Sequence, residues 1–239
     1  MANYFNIYDL LRKEKFTDIV DSKNRPIYGV YYICCIGHYQ SIVNEQLECI
    51  VNSGLYKKTA KLILFISMYN DSLQDIIKKY DTDNKCMLIK SKENLYEKYA
   101  INNYKSYIDK EYYYLYYFHT KAVTRGVGSI FDRRRKILNY YTLQLYEINI
   151  ELLQTYDAVG CSLTRDPSLH FSGNFWWSKS EHVKKLSNVG NEYLDPEMYI
   201  CKYAGKYTSL SQDSNDGDIH SHITKNINTI RNELTSIPL

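Results

Sequence analysis

Ile27-Tyr-Gly-Val-Tyr-Tyr-Ile-Cys-Cys-Ile-Gly37 is an almost unbroken apolar and aromatic run, bounded by Pro26 and His38. It lacks the polar alternation of a half-exposed strand, and so predicts a β-strand buried on both faces. Over residues 41–53, Ile42, Val43, Leu47, Ile50 and Val51 recur at helical spacing, with Gly54 where a helix C-cap belongs. The unit is strand then helix, and the chain repeats it. Residues 61–68 (Lys-Leu-Ile-Leu-Phe-Ile-Ser-Met) predict a second buried strand, 72–79 a short helix, 86–90 a third strand, 95–109 a helix and 111–122 a fourth strand. This alternation predicts an α/β domain with a mainly parallel central sheet flanked by helices.

Downstream, a loop over 123–132 carries Gly126 and Gly128 and leads into Arg133-Arg134-Arg135-Lys136. Leu138, Tyr141, Leu145, Ile148 and Leu152 are spaced for one face of a continuous helix over 136–156. A short strand over 157–161, the segment His170-Phe-Ser-Gly-Asn-Phe-Trp-Trp177, a helix over 180–186 and a polar stretch over 211–222 follow. An amphipathic helix is expected near 7–15. The whole reads as one domain over 1–239: an N-terminal extension (1–25), a first half of strand–helix repeats (26–122), a second half (123–203) and a polar tail (204–239).

Composition narrows the class. The 239 residues hold 30 Lys+Arg against 27 Asp+Glu, a net charge of +3, far from the strongly basic footprint of a nucleic-acid-binding module. With 44% hydrophobic residues, 10 Gly and 4 Pro, the chain is neither disordered nor fibrous. No stretch has the length of apolar sequence a membrane helix needs, and the N-terminus has no leader pattern, so a cytoplasmic protein is expected. The six cysteines show no zinc-ligand spacing and read as reduced, mostly buried residues. The 26 tyrosines read mainly as framework.

In parallel sheets ligands bind beyond the carboxyl ends of the strands. Gly37 and His38 follow the first strand, and His119-Thr120-Lys121 the fourth. Lys121 can place a point charge on a phosphate and His119 can hydrogen-bond it, with Arg125 and Arg133 close in sequence. Within 170–177, Ser172, Gly173 and Asn174 interrupt an aromatic run. Aromatic faces beside a few fixed polar groups suit a sugar, and a buried turn packing Trp176 and Trp177 is the plain alternative. Asp81-Thr82-Asp83 and Asp216-Gly217-Asp218 have the form of a divalent-ion clamp, but neither follows the fourth strand, and both read as solvated turns. Glu197, behind a Pro196 suited to a first helical turn, is the candidate general base.

Together, Tyr-Tyr-Phe-His-Thr-Lys121, the long helix, Asp157-Ala-Val-Gly-Cys161, His170 to Trp177 and Pro196-Glu197 resemble glycosyltransferases of giant DNA viruses and bacterial surface-polysaccharide gene clusters, over about residues 28–203. The resemblance implies a GT-A type, Rossmann-like fold. It also implies transfer of a sugar from a nucleotide-activated donor, a UDP-sugar first, to a glycan or glycoprotein acceptor. In those terms Gly37, His38, His119, Lys121, Arg125 and Arg133 would hold the nucleotide, and Ser172, Gly173, Asn174, Trp176 and Trp177 the sugar or acceptor. Glu197 and His170 would be catalytic, His170 through a substrate hydroxyl or a metal. No D-x-D follows the fourth strand, so the metal, Mn or Mg in many such enzymes, is left open. A catalytically silent interaction protein that kept the fold, and a nucleic-acid-binding module, are the rival readings.

Overall fold

The computed structural model describes residues 25–126 and 128–211. β1 (Ile27–Cys34) pairs in parallel with β2 (Thr59–Ser67) on one side and β4 (Tyr114–His119) on the other, and β3 (Cys86–Lys90) continues the parallel array beyond β2. Past β4 the direction reverses. β8 (Trp176–Lys179) runs antiparallel to β4 and to β5 (Ala158–Gly160), and β9 (Tyr207–Ser209) pairs in parallel with β5. The order β3-β2-β1-β4-β8-β5-β9 makes one seven-stranded, mainly parallel sheet, while β6 (Leu163–Thr164) and β7 (His170–Phe171) form a separate antiparallel pair.

All of β1 is buried, so it needs a packed layer on each side. Tyr31 and Ile33 pack with residues of α1 (Tyr39–Asn52), α2 (Leu55–Lys58), α3 (Ser72–Tyr80), α5 (Ile130–Asn139) and α6 (Tyr146–Leu152). Tyr28, Val30 and Tyr32 pack on the opposite face with α4 (Tyr96–Asn103) and α7 (Ser180–Val183). A last single turn, α8 (Asp195–Met198), carries Pro196 in its first turn. Among the described residues no helix is long and apolar enough to cross a membrane, and all six cysteines are free.

The helix expected over 136–156 is interrupted. Between α5 and α6 lies a π turn, Tyr140–Gln144, in which Leu145 N–H reaches back five residues to the Tyr140 carbonyl at 3.1 Å. Side chains take the carbonyls there: Trp177 Nε1 donates to Thr142 O at 2.7 Å, and Asn149 Nδ2 to Tyr141 O at 2.7 Å and Leu145 O at 2.9 Å. The apolar pattern still marks what is buried, because Leu138, Tyr141, Leu145, Ile148 and Leu152 are all in the core. Other elements are shorter than expected: α4 stops at Asn103 before a 3₁₀ turn over Tyr104–Tyr107, β4 begins at Tyr114, and α7 is one turn. Asp81 of the first D-x-D accepts from Lys85 N at 2.7 Å, Cys86 N at 3.2 Å and the Tyr56 hydroxyl, so it closes a turn. The second D-x-D, the helix near 7–15 and nearly all of the polar tail lie outside the described residues.

Close packing across β1 and β4 is set by Gly29. A Cβ there would stand 2.4 Å from Tyr116 Cζ and 2.6 Å from Leu62 Cδ1, and Tyr116 is fully buried with its hydroxyl 3.1 Å from Thr59 Oγ1. Gly29→Ala is expected to cost about 1–3 kcal/mol by overpacking. Urea unfolding of the two proteins measures it, and an unchanged midpoint would contradict this account of the sheet.

Candidate functional site

The chain leaves β1 to build β2 and β3 on one side and returns to build β4 on the other, so the β1–β4 pair is where a ligand crevice is expected. A cavity of about 480 Å³ lies there, lined by Tyr32 and Cys34 at the end of β1, Asn94 and Tyr96 to Lys98 after β3, His119, Thr120 and Val123 after β4, and residues 191–193 with Pro196.

His119 is the hinge of the site. Its Nε2 lies 3.0 Å from the Gly173 carbonyl, which can only accept, so Nε2 carries the proton and Nδ1 faces Glu97 Oε1 at 3.4 Å. Burial pushes the His119 pKa down; Glu97 opposes that and Lys121 adds to it. Glu97 Oε2 accepts from Tyr117 Oη at 3.0 Å and Asn174 Nδ2 at 2.8 Å, and Asn174 Oδ1 accepts from Trp176 Nε1 at 2.9 Å. A single carboxylate thus ties α4, β4 and the turn over 172–174 together. That turn needs left-handed backbone at Gly173 (φ 100°) and Asn174 (φ 57°), the residue types that adopt it most readily.

Lys121 lies against the same turn, its Cε 3.4 Å from where a Gly173 Cβ would be. Burial lowers its pKa, the charges of Glu197 and Glu97 oppose that, and Arg134 adds to it. Glu197 Oε1 accepts from Gly173 N at 2.8 Å, which brings the candidate base to the His119–Lys121 end of the crevice. Arg134 Nη2 donates to Ser172 Oγ, while its buried Nε has no partner among the described residues. Neighbouring Arg135 is paired with Glu45 and Asp132, and Arg133 is exposed. Of the arginine run it is therefore Arg134 that joins the turn.

Several expected residues are elsewhere. A Cβ at Gly37 would lie 2.3 Å from Val123 O, so this glycine is closed against the chain's own loop. His38 and Arg125 line a separate pocket of about 100 Å³ with Arg135 and Lys136. His170 is buried, with Nδ1 2.8 Å from Ser168 O. Trp176 and Trp177 offer no ring face to a ligand: both are 0% exposed, stacked on Tyr117 at 5.3 Å and Tyr116 at 4.9 Å. The aromatic platform expected from the sequence is core, because β8 pairs with β4 and places both indoles in the sheet. Glu97, Asn94 and Tyr96 escape the sequence reading, although the carboxyl-end rule applied to the third strand points straight at them.

The residues after β4 do not fit a divalent-ion clamp. Among the described residues no three His, Cys, Asp or Glu side chains converge, and the Lys121 ammonium lies in the field of both nearby carboxylates.

The buried histidines give the fold a pH dependence. His119 and His182, whose Nε2 donates to Ile200 O at 2.8 Å, both have pKa values lowered by burial from an unfolded 6.5. The unfolded chain then binds more protons just below that value, so stability is complete above about pH 6.5 and falls as the pH drops through the folded values. Thermal melts are expected to lose midpoint between about pH 7 and 5.5, and less steeply in His119→Gln and His182→Gln. An unchanged slope in the double variant would count against it.

No curated protein matches the sequence. Among solved structures, the mannosyltransferase PcManGT from Pyrobaculum calidifontis, in complex with GDP-Man and Mn2+, is 13% identical over 94% of this chain and 70% of its own, with a TM-score of 0.50. HddC from Yersinia pseudotuberculosis complexed with GMP-PN is 13% identical over 86% and 99% at 0.48, and S. aureus TarS 1-349 is 10% identical over 89% and 66% at 0.44. At such identity the likeness is one of fold: a GT-A-like, mainly parallel α/β sheet flanked by helices. A family model matches residues 35–217, and the chain belongs to that family, the domain of unknown function DUF8361.

Proposed function

We propose that this chain is a glycosyltransferase that moves a sugar from a nucleoside-diphosphate donor, a UDP-sugar first, to a glycan or protein acceptor. The observation that carries the reading is Lys121: a half-buried cation just past the carboxyl end of β4, in the field of Glu97 and Glu197 and next in the chain to Thr120, which lines the 480 Å³ crevice at the β1–β4 switch point. A cation is what a departing diphosphate needs, and low local dielectric makes it count. The fold shared with PcManGT, a mannosyltransferase whose structure holds GDP-Man, supports the same reading.

In this reading the acceptor oxygen attacks the anomeric carbon as the bond to the diphosphate oxygen breaks, and the electron pair leaves with the diphosphate. Lys121, with Arg134, stabilises that charge. Glu197, held by Gly173 N–H, takes the acceptor proton if configuration inverts. Ser172, Gly173 and Asn174 shape the sugar end through the backbone of their turn, with Trp176 and Trp177 as its buried support. The chain works as one domain over 1–239.

Two experiments test this. Glu197→Gln keeps the Oε1 acceptor for Gly173 N–H, so it is expected to spare nucleotide binding while lowering transfer by about 100-fold or more; undiminished turnover removes Glu197 as base. Lys121→Ala is expected to abolish thermal stabilisation by nucleoside diphosphates, and wild-type turnover is expected to persist in EDTA. Complete loss in EDTA, restored by Mn or Mg, refutes the lysine's charge role.

A further inference from the structure

One end of the crevice, built by the start of α4 and the loop before α8, carries chemistry that the transfer reading leaves unused. Two large aromatic side chains line it and are left in solvent: Tyr96, 62% exposed, from the turn after β3, and Tyr193, 95% exposed, from the loop before α8. Tyr96 is held in left-handed backbone at φ 56°, a conformation costly for an aromatic residue. The two loops are tied together. Lys98 Nζ donates to Asn191 Oδ1 at 3.0 Å, and Asn102 exchanges two bonds with Val189, its Nδ2 with the carbonyl at 3.1 Å and its Oδ1 with the N–H at 2.8 Å. Both tyrosines therefore belong to one braced rim.

The amides on this rim have a settled orientation. Asn94 Oδ1 accepts from Tyr96 N–H at 3.2 Å and from Tyr32 Oη at 3.1 Å, and a backbone N–H can only donate, so the other atom of that amide is the NH₂ group. Asn191 Oδ1 is fixed in the same way by the Lys98 ammonium. Neither Nδ2 makes a hydrogen bond to another described residue, and both residues line the cavity, with Glu192 supplying a carboxylate acceptor in the same lining. The rim thus offers two amide donors beside the Lys98 ammonium, one acceptor and two aromatic faces.

We infer that this end of the crevice is a nucleobase subsite selective for a pyrimidine of the uracil type. The ring stacks on Tyr96 and Tyr193. Its two carbonyl oxygens accept from Asn94 and Asn191, and the N–H between them donates to Glu192. Adenine places an amino group on the corresponding edge, as does cytosine, and guanine has one carbonyl there. Each leaves an amide donor facing a donor. The inference rests on the proposed use of a nucleoside-diphosphate donor.

Calorimetric titration of the full chain with UDP, CDP, ADP, GDP and inorganic pyrophosphate tests it. UDP is expected to bind about tenfold or more tighter than the other nucleotides. Tyr96→Ala and Tyr193→Ala are each expected to weaken UDP by about tenfold and leave pyrophosphate unchanged, with the Phe variants close to wild type. Asn94→Asp keeps the oxygen that holds Tyr32 and Tyr96 and puts an acceptor where the donor was, so it is expected to erase or reverse the preference for UDP over CDP. Equal binding of the nucleotides, or UDP affinity unmoved by the tyrosine variants, overturns the subsite while leaving the transferase reading intact. No binding of any nucleotide to the wild-type chain overturns both.

Discussion

A tyrosine buried in a sheet brings a hydroxyl that must be hydrogen-bonded, and Tyr31 of β1 and Tyr117 of β4 satisfy theirs on opposite faces. On one face Tyr31 Oη donates to Gln46 Oε1 at 2.6 Å, and Gln46 Nε2 donates on to the His119 carbonyl at 3.0 Å and Asn139 Oδ1 at 2.9 Å. Asn139 Nδ2 continues to Glu45, the partner of Arg135. On the other face Tyr117 Oη reaches Glu97, which also takes Asn174 and faces the His119 ring. The end of β4 is thereby fixed by its backbone from one side of the sheet and by its side chain from the other. A phenylalanine core would bury as much apolar surface and leave that strand end without this anchorage.

The same wiring divides the charges. Arg135 sits between Glu45 and Asp132, bonded to them through Nε and Nη2, a structural ion pair in the sense that removing one partner strands the other. Lys121 is different in kind. It feels two carboxylates, and a cationic arginine lies close by. No close ion pair joins its ammonium to any of them among the described residues, so it acts on them through the field and not through a bridge. Glu197 is held through one oxygen by a backbone N–H.

The fold was legible in the sequence because β1, β2 and β4 are buried on both faces, and a short continuous apolar run bounded by turn residues suits a central strand of a covered sheet. The helix over 136–156 was legible as a buried face and not as a geometry, since its interruption is caused by Trp177 and Asn149 competing for carbonyls, one of them from a distant strand. For the site, the strand-end argument named His119 and Lys121, while Gly173, Asn174 and Glu197 were singled out on other grounds, and hydrogen bonds and packing on the turn over 172–174 are what bring these five near one another. His38 and Arg125 are not among them, because Gly37 turns the chain onto Val123 and shuts that side. The tryptophans carried a compositional signal for a binding surface, yet a pattern of residue types does not say which strand a segment will join. Glu97 was hidden for the opposite reason: one acid in a charged helix start looks ordinary until Tyr117, Asn174 and His119 are seen to meet on it.

The burial of both indoles has an optical consequence. Trp176 and Trp177 are wholly enclosed and stacked on tyrosines of β4, and the sequence holds no further tryptophan. Their emission therefore reports a dry, rigid surrounding and shifts to the red only when the sheet comes apart. Ligand entering the crevice meets tyrosines instead, and reaches an indole only through Asn174, one hydrogen bond from Trp176. The protein carries an intrinsic fluorophore for its own unfolding that is shielded from direct contact with whatever it binds.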